Sequence, residues 1–129
     1  MDTRAAIETI LDQAYEARRR HDAAAAADCF TEDGCFMANG APAPAMNRAE
    51  QVGAMKAMFE AFEVVEFHQH CRIIDPPRAV VHWRGKFRTQ NGRTGEADIL
   101  DLIEIRDGRI ASLTSFFDTA YAAALSAPP

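Results

Sequence analysis

The chain has 129 residues, a formal net charge of −5, and 48% hydrophobic against 26% charged residues, which suits one soluble globular domain and is too short for two. That composition excludes disordered, collagen-like and disulfide-scaffold chains. The acidic balance, with a pI near 5.3, argues against a nucleic-acid binder, which carries a basic footprint. Asp2, Arg4 and Glu8 interrupt any leader-like apolar stretch, and the alanine run Ala23 to Ala27 falls far short of the ~20 apolar residues of a membrane-spanning helix. Cys29, Cys35 and Cys71 lack CxxC spacing and read as reduced thiols, so the expected location is the cytoplasm.

In chain order, Ile7, Ile10, Leu11, Ala14 and Tyr15 recur at the spacing of one helix face. Asp2 or Thr3 is its expected cap, and Arg18, Arg19 and Arg20 suit its negative C-terminal end. Asp22 caps a second, alanine-rich helix predicted to run through Phe30 and stop near Gly34. Residues 39–46 are loop by composition. Asn47 with Glu50 makes a capping arrangement for a third helix whose apolar stripe is Met55, Met58, Phe59 and Phe62. The period then changes to two, and Glu66 to Ile74, Ala79 to Thr89, Gly95 to Arg106 and Arg109 to Phe117 read as strands. Pro76-Pro77, Asn91-Gly92 and Asp107-Gly108 mark the connections, the last a strong two-residue hairpin signal. Three helices followed by a meander of strands define an α+β fold with helices on one face of an antiparallel sheet.

Within the third strand, alternation puts Ile99, Asp101, Ile103 and Ile105 on one face and Leu100, Leu102 and Glu104 on the other. Asp101 is thus an acid on an aliphatic strip, where it must find hydrogen-bond donors or stay protonated. A neutral carboxylic acid in such a place can donate to a developing oxyanion; the structural alternative is an Asp bonded to a buried amide or an arginine.

The order of elements, with the segment Cys29-Phe30-Thr31-Glu32-Asp33-Gly34, the turn Asp107-Gly108-Arg109-Ile110 and the end Phe116-Phe117-Asp118, resembles the NTF2-like superfamily over about residues 3–122. Its SnoaL-like and ketosteroid-isomerase-like branch is the nearest in appearance. That resemblance implies a strongly curved sheet wrapped round a helix into a cone, an apolar pocket inside, and dimerisation through the sheet. It makes 3–122 the domain and 123–129 a C-terminal tail. Asp101 falls where ketosteroid isomerases place a protonated aspartic acid in the oxyanion hole. Their tyrosine falls at Ala14, with Tyr15 one place on and about 100° round the helix. Their general base falls at Ala38, beside Asn39, and neither side chain can take a proton from carbon. The acid that cyclising relatives carry on the last strand falls at Ser115, and the Arg-x-Asp pair of the epoxide-hydrolysing relatives is missing around His82, Arg84 and Lys86. Asp118 reads as a strand-end polar residue.

Asp101, Tyr15 and His82 are the candidate catalytic residues, His82 as a base near neutral pH if the strand parity turns it toward the pocket. Phe30, Met37, Met55, Phe59, Phe62, Trp83, Ile99, Ile103, Ser115 and Phe117 are the candidate ligand wall, with plain core packing as the alternative for each. His68, His70 and Arg72 are placed on one strand face and His82, Arg84, Lys86 and Arg88 on one face of the next, the outer face unless a bulge reverses the parity. The interleaved arginines oppose a metal site there, and without a nucleotide-binding glycine loop no cofactor is expected. Two readings follow. In one, an isomerase, cyclase or dehydratase acts on a small apolar carbonyl compound with Asp101 as oxyanion donor. In the other, a ligand-binding or dimerisation domain has no enzymatic activity. The expected partners are a small apolar ligand and a second copy bound through the sheet, with neither nucleic acid nor membrane.

Overall fold

The computed structural model describes residues 2–39 and 44–128. The elements run α1 (Arg4–Arg19), α2 (Ala23–Asp28), β1 (Phe30–Ala38), α3 (Arg48–Ala61), β2 (Phe62–Asp75), β3 (Arg78–Thr89), β4 (Thr94–Arg106), β5 (Arg109–Phe116) and α4 (Thr119–Ser126). Each of the first three helices starts on a side chain that accepts from an otherwise orphaned amide. Thr3 takes the Ala6 N–H, Asp22 takes that of Ala25, and Asn47 with Glu50 forms a reciprocal capping box. The expected stripe of α1, Ile7, Ile10, Leu11, Ala14 and Tyr15, is buried along its whole length.

The five strands form one sheet in the order β1-β5-β4-β3-β2. Every neighbouring pair is antiparallel except β1 with β5, which run parallel. Here the prediction changes: the alanine-rich helix ends at Asp28 on Cys29, and Phe30–Ala38 is strand, not helix end and turn. Its partner β5 is far along the chain, so tertiary pairing and not local periodicity makes it a strand. Asp107 and Gly108 both adopt positive φ, 54° and 75°, as a tight β4–β5 hairpin turn requires. The second strand begins at Phe62, four residues before the first one predicted, and α3 hands its last apolar residue directly to it.

Two irregularities in β2, between Val64 and Glu66 and between Gln69 and Cys71, set which side chains face inward. Phe67 points to the helices and His68 away from them. The bulged His70 then shifts the alternation, so Arg72 turns inward and bonds Asp12 of α1 at 2.9 Å. The shared face predicted for His68, His70 and Arg72 therefore fails at the bulge. The core lies between α1 and the inner sheet face, where Ile7 and Leu11 meet Val81, Ile103 and Ile110, all fully buried.

The residues after 122 do not form a separate tail: α4 runs through that boundary. None of its residues is buried. Its C-terminal carbonyls are held by the β3–β4 turn, with Asn91 Nδ2 donating to Ala127 O at 2.8 Å and Leu125 O at 3.3 Å, and Arg93 Nη1 to Ala124 O at 3.0 Å. Substituting Asn91→Ala should speed amide exchange through 119–126 roughly tenfold while shifting global stability by under about 1 kcal/mol. Unchanged exchange there, followed by NMR, would show that the turn does not restrain α4.

Candidate ligand site

Between α1, α3, α4 and the inner face of the sheet lies an apolar cavity of about 370 Å³, at the small end of the range for ligand pockets. Alternation along β3 turns Val81, Trp83 and Phe87 inward. Gly85 between them has no side chain, and a Cβ there would come within 2.8 Å of both rings, so the glycine lets Trp83 and Phe87 cover the strand. A run of rings follows: Tyr15 to Phe67 at 5.6 Å, Phe67 to Trp83 at 5.0 Å, Trp83 to Phe87 at 5.8 Å. From the predicted wall, Phe30 and Met37 line the cavity from β1, Met55 and Phe59 from α3, and Phe62 from the α3–β2 junction. Trp83, Ile99 and Ser115 line it from β3, β4 and β5, and Phe117 from just beyond the end of β5. Ile103 does not reach it. That side chain is fully buried among the core residues, two positions beyond Asp101 on the inner face of β4.

Asp101 is completely buried and meets four donors. Its Oδ2 accepts from Tyr15 Oη at 2.5 Å, Trp83 Nε1 at 2.9 Å and Arg18 Nη1 at 3.4 Å, while Oδ1 accepts from Ser115 Oγ at 2.6 Å. Ser115 is its direct cross-strand neighbour on β5 and Val81 its neighbour on β3. Tyr15 and Arg18, one helical turn apart on α1, reach it from across the core. The Arg18 guanidinium also stands over the Tyr15 and Trp83 rings, 5.4 and 5.5 Å from their centroids. Burial, and then the negative charge of Asp101, hold the Tyr15 phenol well above its usual range, against a smaller opposing pull from Arg18. Tyr15 therefore keeps its proton and donates it.

The surroundings of Asp101 and His82 differ from those expected, whereas Tyr15 lines the cavity. Asp101 does not line the cavity: Tyr15, Arg18, Trp83 and Ser115 do, and they cover it. The indole and guanidinium can only donate, so Oδ2 is an acceptor, and the carboxyl group lies inside the wall and not at the cavity surface where an oxyanion donor was expected. His82 lies on the outer face of β3, where its Nε2 meets Asp98 at 3.1 Å and its ring lies 5.1 Å from that of His70. The strand's alternation, unbroken from Arg78 to Arg88, forbids it from turning inward. No group of three or more His, Cys, Asp or Glu among the described residues is placed to hold a metal ion.

Ala14, the position of the expected tyrosine, and Tyr15 beside it both face the cavity. Asp118 caps α4 by accepting from Tyr121 N at 2.9 Å, and Asn39 holds Phe117 N at 3.1 Å. Arg18 is the site residue that sequence reasoning assigned elsewhere, as a helix-end charge; its position three residues after Tyr15 was the available signal. Tyr121, Ala122 and Leu125 of α4 also line the cavity, and their alanine-rich context concealed it.

A curved sheet packed against helices, with an apolar cavity between the two layers, defines an NTF2-like fold. The chain belongs to the SnoaL-like domain family, whose model matches residues 11–113. Among solved structures it is similar to a protein of ketosteroid-isomerase-like fold from Catenulispora acidiphila in complex with trimethylamine. The identity is 15%, 93% of each chain is covered, and the TM-score is 0.79. It is similar also to an NTF2-like protein from Burkholderia xenovorans, at 20% identity over 98% of this chain and 99% of that one, with a TM-score of 0.78. A candidate SnoaL-like polyketide cyclase from Jannaschia gives 17% identity, coverage of 100% and 99%, and a TM-score of 0.78. No curated protein matches.

Two outcomes test the buried network. Asp101→Asn should destabilise the fold by about 3 kcal/mol in urea unfolding, because the neutral amide weakens the pairing with Arg18 and sets an N–H₂ against donor groups; a change under about 0.5 kcal/mol would contradict it. The raised phenol of Tyr15 means that the unfolded chain loses a proton that the folded chain keeps. Its stabilising contribution is therefore complete below the unfolded value of 10.0 and falls as pH rises beyond it. At pH about 11, tyrosinate absorbance of the native protein should be lower than that of the unfolded chain, and equal absorbance would place Tyr15 in water.

Proposed function

We propose that this protein binds a small, largely apolar carbonyl compound and catalyses proton transfer on it, as isomerases, cyclases and dehydratases do. The carrying observation is a polar strip, Tyr15, Arg18 and Ser115 backed by Asp101, set into a cavity whose other lining residues are apolar apart from Arg19, Asp118 and Tyr121. Arg18 spends one N–H on Asp101 and has others to polarise a substrate carbonyl. Ser115 stands between the cavity and Asp101. A proton leaving carbon passes to Ser115 Oγ as the serine hydroxyl proton passes to Asp101 Oδ1, and return along the same path to another atom completes an isomerisation without a co-reactant. The trimethylamine complex of the Catenulispora relative supports small-molecule uptake by this fold.

Trp83 is the chain's one tryptophan, so its fluorescence reports occupancy directly. Enolisable ketones should quench it and exchange their α-protons for deuterium faster with protein than without. Ser115→Ala should slow that exchange by about 10²-fold or more while changing ketone affinity little. Quenching without any accelerated exchange would replace catalysis with ligand binding alone.

We also read the outer sheet face as the contact for a second copy. Ile73, Leu100, Leu102 and Phe116 stand there 60, 44, 40 and 39% exposed in two adjoining cross-strand rows, an apolar patch that a homodimer covers. Leu102→Asp should halve the mass in sedimentation with an unchanged circular dichroism spectrum. A wild-type chain that sediments as a monomer would end this reading. A cytoplasmic location is proposed with it, supported by the free thiols Cys29, Cys35 and Cys71; no described helix is long and apolar enough to cross a membrane.

A further inference from the structure

The hydrogens of the polar strip are already spent, and that restricts what can bind. Tyr15 and Ser115 each own one hydroxyl hydrogen. Tyr15 donates its hydrogen to Asp101 Oδ2 at 2.5 Å and Ser115 donates to Oδ1 at 2.6 Å, and the Trp83 N–H is likewise engaged at 2.9 Å. Toward the cavity the two hydroxyl oxygens therefore present only lone pairs, whereas Arg18 presents N–H. All of these groups hang on one carboxyl group, so their free valences lie within the span of one ligand head group.

Four kinds of head group meet this arrangement differently. A ketone or ether accepts from Arg18 but leaves the Tyr15 and Ser115 oxygens unpaired in an apolar wall, which costs affinity. A carboxylate sets its lone pairs against theirs and adds a second negative charge near Asp101, whose partner cation is already shared. An ammonium group pairs with the oxygens but meets Arg18 as a like charge. A neutral hydroxyl satisfies both sides.

We infer that the cavity selects compounds whose polar end carries a neutral hydroxyl. Its O–H donates to Ser115 or Tyr15, while an acceptor on the same end, the hydroxyl's own lone pair or an adjacent carbonyl, takes an Arg18 N–H. This rests on the cavity reading above and narrows the carbonyl compound proposed there to one that also bears a hydroxyl. The run of rings from Tyr15 through Phe67 and Trp83 to Phe87 suits a flat frame.

Four naphthalenes with one frame and different heads separate the cases: 2-naphthol, 2-methoxynaphthalene, 2-naphthoate and 2-naphthylmethylammonium. Each is titrated into the full chain by calorimetry, with the indole N–H resonance of Trp83 as the reporter of location. 2-Naphthol should bind about tenfold tighter than each of the others, the worth of one satisfied hydrogen bond. Ser115→Ala should cost 2-naphthol roughly five- to tenfold and leave 2-methoxynaphthalene unchanged. Equal affinity for the methoxy compound, or tighter binding of the naphthoate or the ammonium compound, would overturn the hydroxyl assignment while keeping the cavity. If none of the four moves the Trp83 resonance, the ligand cavity itself fails. The comparison among ligands needs only the wild-type chain, so a variant that does not fold leaves it decisive.

Discussion

A carboxyl group cut off from water must be surrounded by donors, and Asp101 draws the rest of this molecule to that condition. Tyr15 and Arg18 come from α1, Trp83 from β3 and Ser115 from β5, so one side chain ties the helix to three strands of the sheet. Removing any partner exposes an unmet oxygen in a low-dielectric interior, where that loss is at its most costly. The network therefore holds α1 at one rotation and one height over the sheet. The aromatic wall follows from that placement, since Tyr15 and Trp83 belong both to the network and to the run of rings.

The same constraint shapes the chemistry. By consuming the hydroxyl hydrogens of Tyr15 and Ser115, Asp101 decides which atoms those residues offer to the cavity. A carboxyl group placed inside the wall, and not at its surface, meets the cavity only through its neighbours, the Ser115 hydroxyl and the Arg18 guanidinium among them.

Around this centre the protein divides its faces by bulges and turns. His68, His70 and His82 stand on the outer face with Asp98 and the apolar rows, and the bulge at His70 brings Arg72 back to α1. Lightly packed α4 roofs the cavity with Tyr121 and Leu125 while its carbonyls hang from Asn91 and Arg93.

Sequence by itself determined what depends on neighbouring residues. The apolar stripe of α1, the capping box of α3, the hairpin at Asp107-Gly108 and the alternation that turns Asp101 inward are all local, because helix and strand periods act over a few residues. Nine of the ten predicted wall residues line the cavity, although Phe30 and Met37 reach it from β1, a strand that no local pattern marked. Only the tertiary structure decided the rest. Phe30–Ala38 became a strand because β5 offered it an edge, and the bulge in β2 moved Arg72 to the other face. The alanine-rich end became a roof because the β3–β4 turn captured its carbonyls. Arg18, spaced as an ordinary helix-end charge, became a site residue because Asp101, distant in sequence, lies opposite it. Each of these outcomes depends on a partner that no local pattern names, which is why the fold was legible before the site was.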